Sequence, residues 1–179
     1  MTVRTIYRSK KTSQYEIQDL LRSALTAELV TPSKEIWLLS PWLSNPTIFD
    51  NRTNLYRGLD PEWERCEIDL IETLLTLSRR STQIYLLTKD DQFNLSGLER
   101  LGVLSNHSID RSSFYKNIKH KFNNKLHTKG IVSDHFSWIG SMNFTNNGVY
   151  NNEETIYYSV DSDTISQTRL NFRRNWELS

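Results

Sequence analysis

The apolar positions of the chain recur with two different periods. A spacing of three to four residues is typical of amphipathic helices and predicts three of them, at residues 14–29, 61–80 and 163–177. Short continuous apolar runs are typical of strands buried on both faces and predict two strands, at residues 35–40 and 83–88. Further strands are predicted near the C-terminus, at residues 125–133, 136–139 and 154–160. This mixture of elements predicts an α/β fold.

The connections between these elements carry weaker signals. A long irregular loop is predicted at residues 45–60, where Asp60 and Pro61 are placed to begin the second helix. A short helix is favoured at residues 94–104, and residues 106–124 show no clear period. The first strand, the second helix and the next strand follow one another, which predicts a right-handed parallel crossover.

Length and composition indicate a folded chain. At 179 residues we expect one globular domain, and the 37% hydrophobic and 24% charged residues are typical of such a domain. No apolar run reaches the ~20 residues that a membrane span needs, and the polar, basic N-terminus lacks the core of a signal peptide. We therefore expect a cytoplasmic protein with no membrane partner. Cys66, the single cysteine, can form no internal disulfide and is expected to be buried in the second helix.

The tryptophans divide into core candidates and one site candidate. Trp37, Trp138 and Trp176 fall on predicted strands or on the apolar face of the last helix, so we expect them in the core. Trp42 follows Pro41 at the end of a predicted strand, where open α/β sheets place their sites, and we expect it near substrate. The residues expected to turn inward from the last helix are Ile165, Leu170, Phe172 and Trp176.

The net charge of +1 hides a local concentration of basic residues. Between Asp110 and Asp134 the chain has no acidic residue and six basic ones, and removing those six charges leaves the remainder at −5. This stretch is either a solvated face or, as we favour, a surface that follows a phosphate backbone. The candidate nucleic-acid contacts are Arg111, Lys116, Lys119, Lys121, Lys125 and Trp42.

The chemistry of the chain is concentrated between residues 127 and 143. His127 and Lys129 are two residues apart on a predicted strand, so their side chains are expected on one face. A neutral imidazole can attack phosphorus while a fixed cation stabilises the charge that grows on the phosphate oxygens. Ser141 and Asn143 follow Gly140 after the next strand and can donate to the same phosphate. The pattern indicates phosphoryl transfer.

This part of the chain resembles the HxKxxxxDxxxxxxGSxN motif of the phospholipase D superfamily. The residues that carry the resemblance are, in order, His127, Lys129, Asp134, Gly140, Ser141 and Asn143. The resemblance continues through the FT that follows Asn143, through Glu154 and to Trp176, and covers about residues 125 to 176. It implies an αβα sandwich with a mixed, largely parallel sheet. It also implies a metal-independent phosphodiesterase that needs no cofactor.

The same resemblance implies a role for each candidate catalytic residue. His127 forms a covalent phosphohistidine, and a second motif histidine protonates the leaving oxygen. Because the chain has one copy of the motif, it is expected to form a homodimer, as in the small bacterial single-motif nucleases. Glu154 is expected to accept a hydrogen bond from the His127 ring, with neighbouring Glu153 as an alternative. Asp134 is expected to support the turn between strands without touching substrate.

The sequence also shows a narrower family resemblance, and two alternative functions remain open. The segments SPWLSN and DNRTNLYRGLDPEW resemble phospholipase D-like proteins found with bacterial deazapurine DNA-modification systems, which implies partner proteins and a role in phage defence. The chain is therefore expected to be a nuclease acting on DNA. Alternatively, it is a non-catalytic nucleic-acid-binding subunit of such a system. The third hypothesis is a phospholipase, although the sequence shows no basic amphipathic helix with which to bind a lipid surface.

The other histidines give no metal site. His107, His120 and His135 lack the paired spacing and the cysteine or carboxylate partners that a zinc site needs. We expect them to be solvent-facing or in loops.

Overall fold

The computed structural model describes residues 3–9, 15–95, 97–99 and 117–179. The predicted helix at residues 94–104 lies largely outside this part of the chain, and Arg111, Lys116 and His107 lie wholly outside it. The strands are β1 (Val3–Arg8), β2 (Glu35–Leu39), β3 (Thr47–Asp50), β4 (Glu67–Asp69), β5 (Gln83–Thr88), β6 (Ile118–Phe122), β7 (Gly130–Val132), β8 (Ser137–Gly140) and β9 (Glu154–Ser159). The helices are α1 (Glu16–Val30), α2 (Leu70–Arg79), α3 (Asn146–Tyr150) and α4 (Ser162–Glu177).

Seven of the described strands form one mixed sheet. Its order is β1-β9-β8-β7-β2-β5-β6, and β3 pairs with β4 in a separate two-stranded sheet. The parallel pairing of β2 with β5, which the sequence predicted, is present, and β5 pairs with β6 in the same way. The other four pairings in the large sheet are antiparallel. The sheet is therefore mixed, as expected, but the expectation that it is largely parallel is wrong.

Helices cover both faces of this sheet, which gives the expected αβα arrangement. Alternation along β2 shows the two faces: Ile36 and Leu38 pack into a large cluster with α1 and α2, and Trp37 and Leu39 pack into a smaller cluster with α4. In the smaller cluster Trp37 stacks on Tyr85, with ring centroids 3.8 Å apart. Trp37 and Trp138 are buried and Trp176 packs against the smaller cluster, so all three predicted core tryptophans are confirmed.

The second helix begins nine residues later than predicted. It starts at Leu70 because Asp69 caps it, accepting a hydrogen bond from the Glu72 amide at 2.7 Å, and because the residues before it pair with β3. Asp60 caps only a local turn, through the Glu62 amide at 3.0 Å. Cys66 consequently lies outside the helix and is exposed, contrary to expectation.

Four strands were missed by the sequence pattern. β3 lies inside the predicted irregular loop, and β4 lies inside the stretch predicted as the second helix. β6 lies in the segment without a period, and β1 lies in the polar N-terminus. β1 and β6 are the edges of the sheet, so each has one paired side and several exposed positions, and neither shows a continuous apolar run. His120 is a half-buried residue of β6, which corrects its expected position in a loop.

The last helix matches its prediction closely, with one exception among its inward residues. Ile165 and Phe172 are buried, but Leu170 is 57% exposed. Leu170 is two positions from Phe172 and therefore points away from the face that Phe172 buries. Within the described residues, no helix combines the length and the hydrophobicity needed to cross a membrane.

Candidate active site

The motif residues meet at one edge of the large sheet. β7 runs antiparallel to β2, so that Gly130, its first residue, lies opposite Leu39, the last residue of β2. Gly130 also pairs with Ile139 near the end of β8, and Gly140 pairs with Ile156 near the start of β9. The ends of β2 and β8 and the starts of β7 and β9 therefore lie at the same end of the strands. We call this end of the sheet the motif edge, as distinct from its edge strands β1 and β6.

His127 and Lys129 lie in the segment that leads into β7, which is shorter than the strand predicted at residues 125–133. The Lys129 ammonium donates to the His127 carbonyl oxygen at 2.7 Å and lies 3.1 Å from Nδ1 of the His127 ring. An ammonium can only donate, so Nδ1 accepts in this contact. The ring proton of the neutral imidazole is then on Nε2.

The pKa of Lys129 is shifted by burial and by two charged neighbours. Partial burial lowers the pKa of Lys129, the Glu154 carboxylate raises it, and the Lys89 ammonium lowers it further, with a net lowering below the ordinary lysine value. Lys89 follows β5 and was not identified from the sequence as a site residue. Two cations and one carboxylate thus act on the same part of the motif edge.

Glu154 is buried at the start of β9, and its partners differ from those expected. It accepts hydrogen bonds from Ser141 Oγ and, at 3.4 Å, from Asn152 Nδ2. Ser141 Oγ also accepts from the Thr155 amide at 3.0 Å. Among the described contacts, Glu154 makes no hydrogen bond to His127, so the expected orienting bond is not formed in this structure. Ser141 instead fixes the carboxylate.

Gly140 permits the close approach that builds this arrangement. A Cβ atom added at Gly140 would lie 2.1 Å from the Thr155 carbonyl oxygen on β9. The motif glycine is therefore required sterically, since any side chain would push β8 away from β9. Ser141 and Glu154, which follow and face this contact, would be displaced with it.

Arg8 supports the same region from β1 and was missed by the sequence analysis. It lies opposite Glu154 in the strand register, and its Nε donates to the Asn152 carbonyl at 2.6 Å. Its guanidinium also donates to the carbonyls of Val149 and Gly148. Burial lowers the pKa of Arg8, while the Glu154 carboxylate raises it. The only sequence signal was the group of β-forming residues around Ile6.

Asn143 is held by its backbone more than by its side chain. Its carbonyl accepts from the Thr145 amide at 2.8 Å, and a Cβ atom at Gly148 would lie 2.1 Å from the same oxygen. Its side-chain Oδ1 is buried without a hydrogen-bond partner among the described residues. Buried amide oxygens usually accept a hydrogen bond, so Oδ1 of Asn143 can still accept one.

Asp134 lies in the β7–β8 turn, at the end of the strands opposite the motif edge. Its carboxylate accepts from the Lys34 amide and from Arg169 Nη2, both at 2.7 Å. These bonds tie the β7–β8 turn to β2 and α4. Five residues separate Asp134 from Gly140, one fewer than in the motif pattern, and the two strands are joined by a short turn closed by Ser133 and Phe136.

A cavity of about 630 Å³ opens beside these residues. His127, Lys129 and Ser141 line one side of it, and Ile139, Tyr157 and Phe172 provide an apolar wall. Asn143, Asp134 and Glu154 are not among the described residues that line the cavity. The structure therefore brings three of the six predicted catalytic residues to one opening, and it places Glu154 next to that opening through its bond with Ser141.

The predicted nucleic-acid contacts are more scattered. Lys119 lies over the Tyr85 ring, 5.1 Å from its centroid, and Lys121 donates to the Trp176 carbonyl at 3.1 Å, so both also serve the packing of β6. Lys125 is exposed near the motif edge. Trp42 is 39% exposed. The described histidines, cysteine and carboxylates include no cluster that could hold a metal ion.

The fold and the motif edge together define a phospholipase D-like domain. Residues 61–176, more than half of the chain, match the family model described as "Cardiolipin synthase, PLD-like domain", and the chain belongs to this phospholipase D-like family. No curated protein sequence matches the chain significantly.

Solved structures share this fold at low sequence identity. The phospholipase D family member Nuc from Salmonella typhimurium has a TM-score of 0.60 and 13% identity, covering 98% of this chain and 94% of that one. NucT from Helicobacter pylori has a TM-score of 0.53 and 14% identity, covering 98% and 97%. The archaeal chromatin protein TrmBL2 has a TM-score of 0.55 and 12% identity, covering 98% and 52%. These similarities extend the phospholipase D-like fold over nearly the whole chain.

Proposed function

We propose that the protein is a metal-independent phosphodiesterase, specifically a nuclease that cleaves DNA at a site shared by two chains. The observation that carries this proposal is the contact between the His127 ring and the Lys129 ammonium, at 3.1 Å, on the rim of the cavity. A nucleophilic imidazole beside a fixed cation is the minimum that phosphoryl transfer through a covalent intermediate requires.

In the first half of the reaction Nε2 of His127 attacks phosphorus. A P–N bond forms, the P–O bond to the leaving strand breaks, and the leaving oxygen takes a proton from the imidazolium of a second histidine. In the second half that histidine, now neutral, removes a proton from water, and the resulting hydroxide displaces His127. Lys129 and Asn143 stabilise the charge on the non-bridging oxygens in both halves.

The contact between Lys129 and His127 predicts a change on substrate binding. With Nδ1 accepting from Lys129, the ring proton is on Nε2, and this tautomer cannot attack through Nε2. A phosphate between the two side chains takes the hydrogen bonds of the ammonium and frees Nδ1 to carry the proton. Glu154 lies close enough to influence Lys129 electrostatically and is the candidate acceptor for that Nδ1 proton, through a modest rearrangement of Ser141.

The requirement for a second histidine supports a homodimer. Among the described residues His120 sits on β6, three strands from β7 and roughly 14 Å away. His135 lies in the β7–β8 turn at the opposite edge, where its Nδ1 pairs with Glu28 at 3.1 Å. Neither reaches a phosphate held by His127. In line with the single-motif resemblance, His127 of the partner subunit is the proposed general acid, and the open cavity beside the motif edge is the proposed place where the second chain completes the site.

Nucleic acid is the substrate that best fits the surroundings. The exposed Lys125 and Trp42 lie towards the motif edge, and the structurally similar TrmBL2 is described as binding DNA. The segments SPWLSN and DNRTNLYRGLDPEW support a place in a bacterial DNA-modification and phage-defence system with partner proteins. The second of these segments folds around the buried Asn51, whose side chain accepts from the Tyr56 amide at 2.8 Å and donates to the Glu64 carbonyl at 2.9 Å.

One observation favours a second function, a non-catalytic nucleic-acid-binding subunit. Glu154 is bonded to Ser141 and Asn152, and His127 has no carboxylate partner among the residues that the structure describes. A site in this arrangement can hold a phosphate through Lys129 without activating His127. Turnover distinguishes the two functions, because binding alone leaves the phosphodiester intact.

The test is cleavage of labelled single-stranded and double-stranded DNA in excess chelator, resolved on denaturing gels. Wild type is compared with His127→Ala and with His135→Gln, a matched control at the opposite edge. Cleavage by wild type and by the control, but not by His127→Ala, is expected. Equal binding by all three proteins with no cleavage overturns the nuclease proposal in favour of the binding subunit.

A further inference from the structure

Two loops at the motif edge are locked together by one buried side chain. Asn94 is fully buried, and its Nδ2 donates to the carbonyls of Pro41 at 2.9 Å and Lys89 at 2.8 Å. Its Oδ1 accepts from the Leu43 amide at 2.6 Å. The Lys89 amide also donates to Pro41 at 3.2 Å. The loop after β2 and the loop after β5 therefore form one rigid unit.

This unit is joined to the segment that carries Asn143. Ser40 Oγ accepts from the Phe144 amide at 3.0 Å and donates to the Trp42 carbonyl at 2.6 Å. The Ser44 amide donates to the Phe144 carbonyl at 3.0 Å. Ser40 and Ser44, on either side of Trp42, are thus both bonded to Phe144, which directly follows Asn143. These bonds place Trp42 beside the proposed phosphate site.

The Trp42 side chain is oriented and yet remains partly in solvent. Its Nε1 donates to Asp91 Oδ2 at 3.4 Å, and the Lys89 ammonium lies 5.3 Å from its ring centroid. The ring is nevertheless 39% exposed, whereas Trp37, Trp63 and Trp138 are buried. A rigid loop that holds a large aromatic ring at the surface next to a cation is not accounted for by core packing.

We propose that Trp42 and Lys89 form a binding subsite for an unpaired nucleotide that flanks the cleaved phosphate. The exposed ring stacks one base, and the ammonium contacts the adjoining phosphate. A base can stack on a protein ring only when it has left its neighbours in the strand, so the subsite selects single-stranded DNA or an unpaired end over continuous duplex. This inference rests on the proposed action on nucleic acid and narrows its substrate class.

The position of Lys89 agrees with this assignment. Its charge acts on Lys129, so the two ammonium groups belong to the same part of the motif edge, as contact with more than one phosphate of a strand requires. Burial is the main cause of the lowered pKa of Lys129, and repulsion between the two cations adds to it. A polyanionic backbone removes that repulsion.

The experiment measures binding without turnover, in the His127→Ala background and in chelator. Oligonucleotides carrying 2-aminopurine at successive positions are titrated with protein, since stacking on an aromatic ring quenches this base. Quenching at one position is expected, and adding Trp42→Ala should abolish it and weaken single-strand affinity by about 5- to 150-fold. Trp42→Phe should restore both, and Tyr15→Ala, which removes an exposed aromatic at the start of α1, should change neither.

The salt dependence of the same binding tests Lys89. Lys89→Ala should lower the slope of log affinity against log salt by about 0.7, the value for one phosphate contact on a single strand, and Lys89→Arg should keep it. Unchanged quenching and affinity in the Trp42→Ala protein would overturn the subsite while leaving action on nucleic acid intact. If neither the wild type nor the His127→Ala protein bound any oligonucleotide, both the subsite and the nucleic-acid function would be refuted.

Discussion

Lys129 Nζ lies 3.1 Å from His127 Nδ1, and the same ammonium donates to the His127 backbone carbonyl at 2.7 Å. The two side chains that the motif places two residues apart are therefore in direct contact. This contact fixes the position of the cation relative to the proposed nucleophile. In this contact the ring proton of the neutral imidazole is on Nε2, whereas the proposed attack through Nε2 requires the proton on Nδ1.

The first prediction concerns the charge of Lys129. Because its pKa is lowered, the ammonium loses its proton at a lower pH than an ordinary lysine, and kcat/KM should fall on the alkaline side as that charge is lost. Lys129→Arg should remove this alkaline fall, since a guanidinium stays charged. Lys129→Met should reduce kcat by about 10²- to 10³-fold. A pH profile of cleavage checks this, and the same alkaline fall in Lys129→Arg would contradict it.

The second prediction concerns the glycine of the motif. Gly140→Ala should lower the free energy of unfolding by about 1–3 kcal/mol and should lower activity, because the added methyl would collide with the Thr155 carbonyl. Gly58→Ala is the matched control, since a Cβ atom there meets nothing within 4 Å. Its effect should stay within about 0.5 kcal/mol. Urea unfolding monitored by circular dichroism measures both, and equal effects would refute the steric argument.

The third prediction concerns the hydrogen bond between Ser141 and Glu154. Ser141→Ala removes a donor to a buried carboxylate and an acceptor for the Thr155 amide, and should cost about 1–3 kcal/mol of stability. Ser23→Ala serves as the control, because Ser23 bonds only to the carbonyl of Asp19 on the exposed side of α1. Chemical denaturation at neutral pH compares them. Should the two variants lose the same stability, Ser141 would not be holding the carboxylate.

The fourth prediction concerns the half-buried His120. Burial lowers its pKa, so the folded protein resists protonation that the unfolded chain accepts near the ordinary value of about 6.5. Stability should therefore fall as pH falls through that value, because the unfolded state binds the additional proton. His120→Gln should flatten this fall. Thr88→Val, which removes the 3.0 Å contact to His120 Nε2 without removing the titrating group, should retain it in urea melts from pH 8 to pH 5.

How far the sequence predicted the fold depends on where each element lies. β5 was predicted with its observed bounds, because its continuous apolar run is buried on both faces. The start of α2 was misplaced because Trp63 fits a helical apolar spacing but reaches the core from a turn, where its indole donates to Thr76 at 3.1 Å. A periodic pattern reports which residues are buried and not which backbone carries them there.

The site was predictable where its residues are close in sequence. His127, Lys129 and Ser141 belong to one motif, and the structure gathers them around one cavity. Arg8, Lys89 and Asn94 were missed because each acts through contacts with residues distant in the chain, such as the bond from Arg8 to the Asn152 carbonyl. Tertiary contacts of this kind leave no periodic signal in a single sequence.

The proposed shared site can be examined by mixing active wild-type protein with the inactive His127→Ala protein. If each site takes the nucleophile from one chain and the acid from the other, each cleavage uses both imidazoles. Dimers of His127→Ala are then inactive. Mixed dimers of His127→Ala with wild type should lose most of their activity. Adding excess His127→Ala protein should therefore suppress wild-type turnover after subunit exchange. Turnover that stays proportional to the wild-type chains present would show that each chain acts alone.

The most direct test of the central claim is to trap the covalent intermediate. Protein is mixed with 5′-labelled single-stranded DNA in chelator, quenched in alkali within milliseconds to seconds, digested and analysed by mass spectrometry. The account predicts a nucleotide adduct on the peptide that contains His127, present in wild type and His135→Gln and absent in His127→Ala. Cleavage of the DNA by wild type with no adduct at His127, or with the adduct on another residue, would contradict it.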